Sequence, residues 1–364
     1  MYKEKRTSRS EFVPIRALMY HVRIWDGALP DSAAATSAGP SQARPAPAGL
    51  EPAAPNLPTQ VWTGDISEAS GERRPARYSV LHEVKSVGAN SLPPLVLVHG
   101  WMDVAASYQF MVDALSDAFA AGRTIIAPDW RGFGLTDGTA DNYWLPDYLA
   151  DLDFLLDHYV QGQKIDLVGH SMGGNVAMVY AGVRPERIHK LVNLEGFGLG
   201  PSKPAQAPTR YAKWIDELKS LHKGELDLKA YDEVSGVARR LMKTNPRLSE
   251  DKANWLAAHW AHQNAAGQWL ILGSPGHKVV NANIYRVEET LEIYKRITAP
   301  VLAVEASDDS LEKWNQGRYT LADYHGRLKL VADARVARLE DAGHMLHHDQ
   351  PEALAKLIEG FLAS

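Results

Sequence analysis

The stretch Ile165-Asp166-Leu167-Val168-Gly169-His170-Ser171-Met172-Gly173-Gly174 decides how this chain is read. A short apolar run that ends in G-x-S-x-G predicts a serine raised on a tight strand-to-helix turn. Only small residues fit two places either side of such a serine, which accounts for Gly169 and Gly173. The serine oxygen then stands clear of the sheet, beside the N-terminus of the next helix, whose unpaired N–H groups favour negative charge. Asn175-Val176-Ala177-Met178-Val179-Tyr180-Ala181 continues the turn as a buried helix. The plain alternative is a glycine-rich turn without chemistry, and the apolar segments on both sides weigh against it.

Outward from this turn, strands and helices alternate, the pattern of a mostly parallel sheet covered on both faces. Buried strands are expected at residues 94–98, 124–127, 165–168, 191–194, 301–305 and 335–339. Tyr148, Leu149, Leu152, Leu155, Leu156 and Tyr159 fall on one face of a helix, and Leu354, Leu357, Ile358, Phe361 and Leu362 form a second stripe behind Pro351. Residues 15–25 alternate as an edge strand, with a returning strand at 77–84. Residues 1–10 are basic and read as a solvated tail, without the apolar region of a secretory signal. Between the two strands, residues 28–58 are dominated by alanine and proline and are expected to be disordered, because they cannot bury enough surface to offset ordering. Residues 200–298 carry successive helical patterns without a strong strand, a helical insertion that divides the core into 11–199 and 299–364.

Net charge is −5 with acidic and basic residues interspersed, so no nucleic-acid surface is expected. No apolar stretch is long enough to span a bilayer. Cysteine is absent, which removes thiolate chemistry and cysteine-based zinc sites and fits a reducing compartment, so a cytoplasmic location is expected.

Serine attack on a carbonyl needs a base, a carboxylate to orient it, and donors for the oxyanion. His344, in Gly343-His344-Met345 after a strand and before the last helix, is the candidate base; His347 and His348 are rivals nearer the helix start. Asp309 leads as the acid, following a strand and preserving the order serine, acid, histidine, with Asp308 and Glu195 as alternatives. The backbone N–H groups of Trp101 and Met172 are the candidate oxyanion donors. Trp101, Met102 and His170 border the substrate pocket, and His99 and His170 are placed by their backbone rather than needed as bases. Asp129-Trp130-Arg131-Gly132-Phe133-Gly134 lacks phosphate-loop spacing and reads as a shaped turn.

Taken together, the HGW turn at 99–101, the D-x-R-G-x-G segment at 129–134, the GHSMGG turn at 169–174, the acidic turn at 308–309 and the GH pair at 343–344 resemble the α/β-hydrolase superfamily in its lid-bearing, esterase-like branch. The resemblance covers residues 93–198 and 299–364. It implies an α/β fold with an eight-stranded, mostly parallel sheet flanked by helices, a Ser-acid-His triad, and a helical cap inserted after the strand that ends near Glu195. Two departures stand out: Ala306 occupies a position where many relatives carry glycine, and the Ala/Pro-rich segment replaces a short hairpin.

Serine at the nucleophile position disfavours the aspartate-dependent branches of the superfamily. The expected activity is hydrolysis of a carboxylic ester of an apolar or aromatic small molecule through an acyl-serine, with neither a metal nor an organic cofactor required. Two alternatives use the same triad: cleavage of a carbon–carbon bond, with Arg210 and Arg239 as candidates to hold a substrate carboxylate, and acyl transfer. A third is a non-catalytic binding protein on the same fold. Trp214, Trp255, Trp260, Trp269, Tyr211, Tyr231 and Tyr285 either shape an apolar cavity or pack the insertion's own core.

Overall fold

Leu95 and Leu97 pack on one face of the central sheet, and Val96 and Val98 on the other, so a single four-residue strand feeds two separate cores. The computed structural model describes residues 2–27, 92–138 and 140–364. The disorder expected at 28–58 and the strand expected at 77–84 lie outside these residues. Six strands build the first part of the sheet: β1 (Arg9–Ile15), β2 (Leu18–Trp25), β3 (Leu95–Val98), β4 (Ile125–Pro128), β5 (Ile165–His170) and β6 (Ile188–Leu194). The insertion contributes β7 (Ala230–Tyr231), β8 (Ala261–Gln263) and β9 (Trp269–Ile271); β10 (Val301–Ala306) and β11 (Ala334–Leu339) then complete the core. The eight core strands take the order β1-β2-β4-β3-β5-β6-β10-β11. Only β2 runs against its neighbours; the other core pairs are parallel.

The helices follow the apolar stripes. Leu145–Val160 buries Tyr148, Leu152, Leu155 and Leu156 on the face that also receives the helix Met172–Val183, and Pro351–Ala363 buries Leu354, Ile358, Phe361 and Leu362 on the opposite face. Proline at the first turn of the last helix costs no hydrogen bond, because that N–H has no intrahelical partner.

Two expectations are corrected at the N-terminus. Residues 15–25 do not form the edge; β2 is interior to the sheet, and Arg9–Ile15 forms the edge strand outside it. The segment before β1 is also docked rather than solvated. Arg6 donates to the carbonyls of Val112 and Asp113 at 3.1 and 3.0 Å, and the Tyr2 hydroxyl donates to Asp113.

The insertion between β6 and β10 is mostly helical, with Ala207–His222, Val234–Thr244, Glu250–Trp260 and Val287–Tyr294, but it also carries the small sheet β7-β9-β8 that no periodic pattern announced. Its apolar core is continuous with the main body: Val237, Leu241, Leu256 and Trp260 pack with Val104, Ala106 and Phe110 from the turn and helix after β3. Polar ties add direction. The Trp260 indole donates to Asp103 at 3.1 Å, and the Asn245 amide donates to Asp349 at 2.7 Å. Among the described residues no helix is long and apolar enough to cross a membrane.

Candidate active site

Register brings the functional turns together. His170 at the end of β5 pairs with Leu194 of β6, and Leu194 pairs with Val304 of β10, so Ser171 and Glu195 leave adjacent strands side by side. Both residues adopt left-handed φ values, 52° at Ser171 and 56° at Glu195, and Met102 after β3 does the same at 54°. Such conformations cost about 1–3 kcal/mol each and persist where packing over-determines them. Here the packing is visible. A Cβ on Gly169 would meet the Gly173 carbonyl oxygen at 2.4 Å, and one on Gly173 would meet the Val98 carbonyl oxygen at 2.2 Å, so a side chain at either position would force the turn open.

His344 Nε2 lies 2.9 Å from Ser171 Oγ. The other face of the ring, Nδ1, lies 3.3 Å from Glu195 Oε2. Glu195 is buried, and its second oxygen accepts the Ala306 N–H at 2.7 Å. Burial pushes the Glu195 carboxyl up to about 7 against the pull of the Ala306 N–H and Ser310, and burial pushes the His344 imidazole down to about 4. The imidazole is therefore neutral at neutral pH, the form that accepts a proton.

This arrangement corrects the leading expectation for the acid. Asp309 is exposed and caps the helix Ser310–Asn315, accepting the Glu312 N–H at 2.8 Å. Asp308 pairs with Arg247 of the insertion through two contacts, at 2.8 and 3.1 Å. Asp309 thus serves a helix end and Asp308 a cation of the insertion, and Glu195 is the carboxylate that faces the imidazole. His347 and His348 are buried and share the Ser107 hydroxyl, at 3.1 and 2.5 Å, holding the loop that carries His344.

His170, expected to border the pocket, faces the loop that carries His344. Its ring is buried, and its Nε2 lies 2.7 Å from the His344 carbonyl oxygen, which ties the serine turn to the histidine loop. Trp101 is 54% exposed and Met102 is half-buried against Gly273 of the insertion. A Cβ on Gly100 would come within 2.9 Å of His170 Nδ1 and 3.2 Å of Ser171 Cβ, so the HGW turn lies directly against the serine. Met172 is the first helical residue, where the backbone N–H has no partner within the helix. Trp314, which the sequence did not mark, sets its ring edge against His344 with centroids 4.4 Å apart.

The remaining motif is structural. Asp129 is buried and accepts the Ala105 and Leu135 N–H groups at 2.7 and 2.9 Å and faces His21 Nδ1 at 2.7 Å, while Arg131 makes a two-pronged contact with Asp151 at 2.5 and 2.7 Å. His99 Nε2 accepts the Trp130 N–H at 2.9 Å. Of the aromatics in the insertion, Trp255, Trp260, Trp269 and Tyr231 pack its own core, and Trp214 donates to Asn142 at 2.5 Å.

The order of the sheet agrees with the comparisons. The family model of the alpha/beta hydrolase fold matches residues 93–351, and the chain belongs to that family of enzymes. A serine hydrolase-like protein of Danio rerio is 26% identical over 275 residues, spanning 74% of this chain and 81% of its own. An sn-1-specific diacylglycerol lipase of Xenopus laevis is 24% identical over 275 residues, 75% of this chain and 80% of its own. Among solved structures, a thioesterase domain from the curacin biosynthetic pathway superposes with a TM-score of 0.66 at 19% identity, covering 97% of this chain and 99% of that one, a likeness of fold.

Proposed function

We propose that this protein hydrolyses a carboxylic ester through an acyl-serine, with Ser171 as nucleophile, His344 as general base and Glu195 as the acid that orients it. The observation that carries the reading is the unbroken relay from Ser171 Oγ to His344 Nε2 at 2.9 Å and from His344 Nδ1 to Glu195 at 3.3 Å. His344 takes the Ser171 proton during attack, returns it to the leaving alcohol, then draws a proton from water as the acyl group is released. The imidazolium formed in between sits beside a carboxylate held in a dry site, where attraction between opposite charges is strongest. The N–H groups of Trp101 and Met172 receive the developing oxyanion.

An apolar acyl or alcohol group suits the approach, because Trp101 and Trp314 are large, exposed and adjacent to the reacting pair. The insertion, in this reading, is a cap whose edge at Met102 and Gly273 meets the serine side of the sheet. The lipase and thioesterase named among the relatives fit transfer of an acyl group to water. Carbon–carbon cleavage draws no support from the two candidate arginines: Arg210 donates to the Asn281 carbonyl at 2.8 Å and Arg239 contacts Ser235 at 3.2 Å.

The test is labelling with a fluorophosphonate followed by peptide mapping, together with p-nitrophenyl ester turnover. The label is expected on Ser171, and Ser171→Ala is expected to lower turnover on the order of 10⁴-fold or more while the melting curve stays in place. A label elsewhere, or turnover unchanged in the variant, rejects the assignment.

A further inference from the structure

Behind the serine, three buried side chains converge, with His347 Nε2 3.9 Å from Asp103 Oδ2. Asp103 Oδ2, His170 Nδ1 and His347 Nδ1 each lack a hydrogen-bond partner, although the three residues are 4%, 1% and 0% exposed. One ligand atom from each lies within 4.8 Å of the other two. They come from three separated segments: the turn after β3, the end of β5 and the short helix Leu346–Asp349 after β11. A buried polar atom left unpaired has lost its hydration without replacement, so three in one cluster call for an occupant.

We propose that Asp103, His170 and His347 bind a single divalent transition cation of the zinc class. Two imidazole nitrogens and one carboxylate oxygen are the donors such ions prefer, whereas calcium and magnesium want six or more oxygens. The ligands are held as metal ligands are held. His170 must place its proton on Nε2 to donate to the His344 carbonyl at 2.7 Å, which leaves the lone pair on Nδ1. Asp103 Oδ1 is occupied by the Val104 N–H at 2.9 Å and the Trp260 indole at 3.1 Å, while Oδ2 has no hydrogen-bond partner and lies 3.9 Å from His347 Nε2. Donors around a tetrahedral zinc ion stand about 3.3–3.5 Å apart, so loading draws the cluster together by roughly 1 Å, with water in the fourth position.

The ion takes no part in ester chemistry; its effect reaches the active site through His170, which precedes Ser171 and holds the His344 carbonyl. Drawing His170 toward Asp103 displaces both turns, and bound cation is therefore inhibitory. This inhibitory arm rests on the ester-hydrolase reading, whereas binding does not.

The experiment strips the full chain with EDTA and titrates it with Co²⁺, read by visible absorption, and with Zn²⁺, read by calorimetry. One ion per chain is expected, in the Ser171→Ala variant as well, and Zn²⁺ is expected to slow ester turnover reversibly. Asp103→Asn and His347→Gln are each expected to weaken binding on the order of 100-fold or more, while His222→Ala, on the surface, leaves it unchanged. Absence of uptake by the folded, stripped chain overturns the site, as does uptake indifferent to both buried variants. Should those variants fail to fold, X-ray absorption of the Zn²⁺-loaded wild type decides: two imidazole ligands uphold the assignment, one or none refutes it. Binding without loss of ester turnover refutes the inhibitory arm alone.

Discussion

Two turns at the same edge of the sheet carry carboxylates, and they behave in opposite ways. At the end of β6, Glu195 is drawn out of water, held by a backbone N–H and aimed at an imidazole; at the end of β10, Asp308 and Asp309 stay exposed and serve a cation of the insertion and a helix end. Chain order made the second turn the stronger candidate. Of the two, only Glu195 faces the imidazole, in line with its proposed role, since a carboxylate whose hydration is replaced by fixed dipoles can hold an imidazolium without reorganising at the moment of reaction.

The contrast breaks most sharply under substitution. Glu195→Gln is expected to lower kcat on the order of 10³- to 10⁴-fold, the scale of losing the orienting acid of a triad, whereas Asp309→Ala stays within a few-fold of wild type in the same steady-state assay. The reverse outcome would return the acid to the β10 turn. The pH profile sharpens the point. In the proposed mechanism turnover needs Glu195 ionised and His344 neutral, so kcat/KM is expected to fall as pH drops through about 7, where the pair takes up its first proton. With glutamine at 195 only the imidazole titrates, and the residual activity's acid limb retreats toward about 4. A limb that stays in place would show that the two groups do not titrate together.

Stability runs the other way. The folded-state pKa of Glu195 lies near 7, above its ordinary 4.5, so the stabilising contribution of its protonated form is complete below the ordinary value and is lost as pH rises through about 7. Glu195→Gln is therefore expected to melt higher than wild type at neutral and alkaline pH while being nearly inactive. Asp309→Ala removes an N-cap and is expected to cost about 0.5–2 kcal/mol in denaturant unfolding. Smallest of all, Asp308→Asn breaks a solvent-exposed pair with Arg247 and is expected to cost about 1 kcal/mol or less.

The strands of the core were legible in sequence because burial on both faces demands short apolar runs, as in Leu95–Val98 and Val301–Ala306. Ser171 was legible because its turn tolerates so few residues, and His344 because a histidine follows a strand in the right order. The proposed acid was not, since Glu195 reaches the imidazole through the register of β5, β6 and β10, which no local pattern encodes. The cap-side strands β7, β8 and β9 are two or three residues long, too short for alternation to appear. Arg9–Ile15 escaped notice as the sheet's edge because Phe12 faces outward, Pro14 interrupts the run and only Val13 and Ile15 are buried. The link from His170 to the His344 carbonyl joins residues 174 positions apart and left no trace in either neighbourhood.

Phe110, Val104 and Trp260 share one apolar core across the boundary between insertion and sheet, with Trp260 also hydrogen-bonded to Asp103. An engineer wishing to retarget this enzyme by transplanting another roof would thus be cutting through its foundations: the graft must bring its own counterpart for that indole and refill the hollow above Phe110, or the nucleophile's neighbourhood will sag before any new substrate is tried.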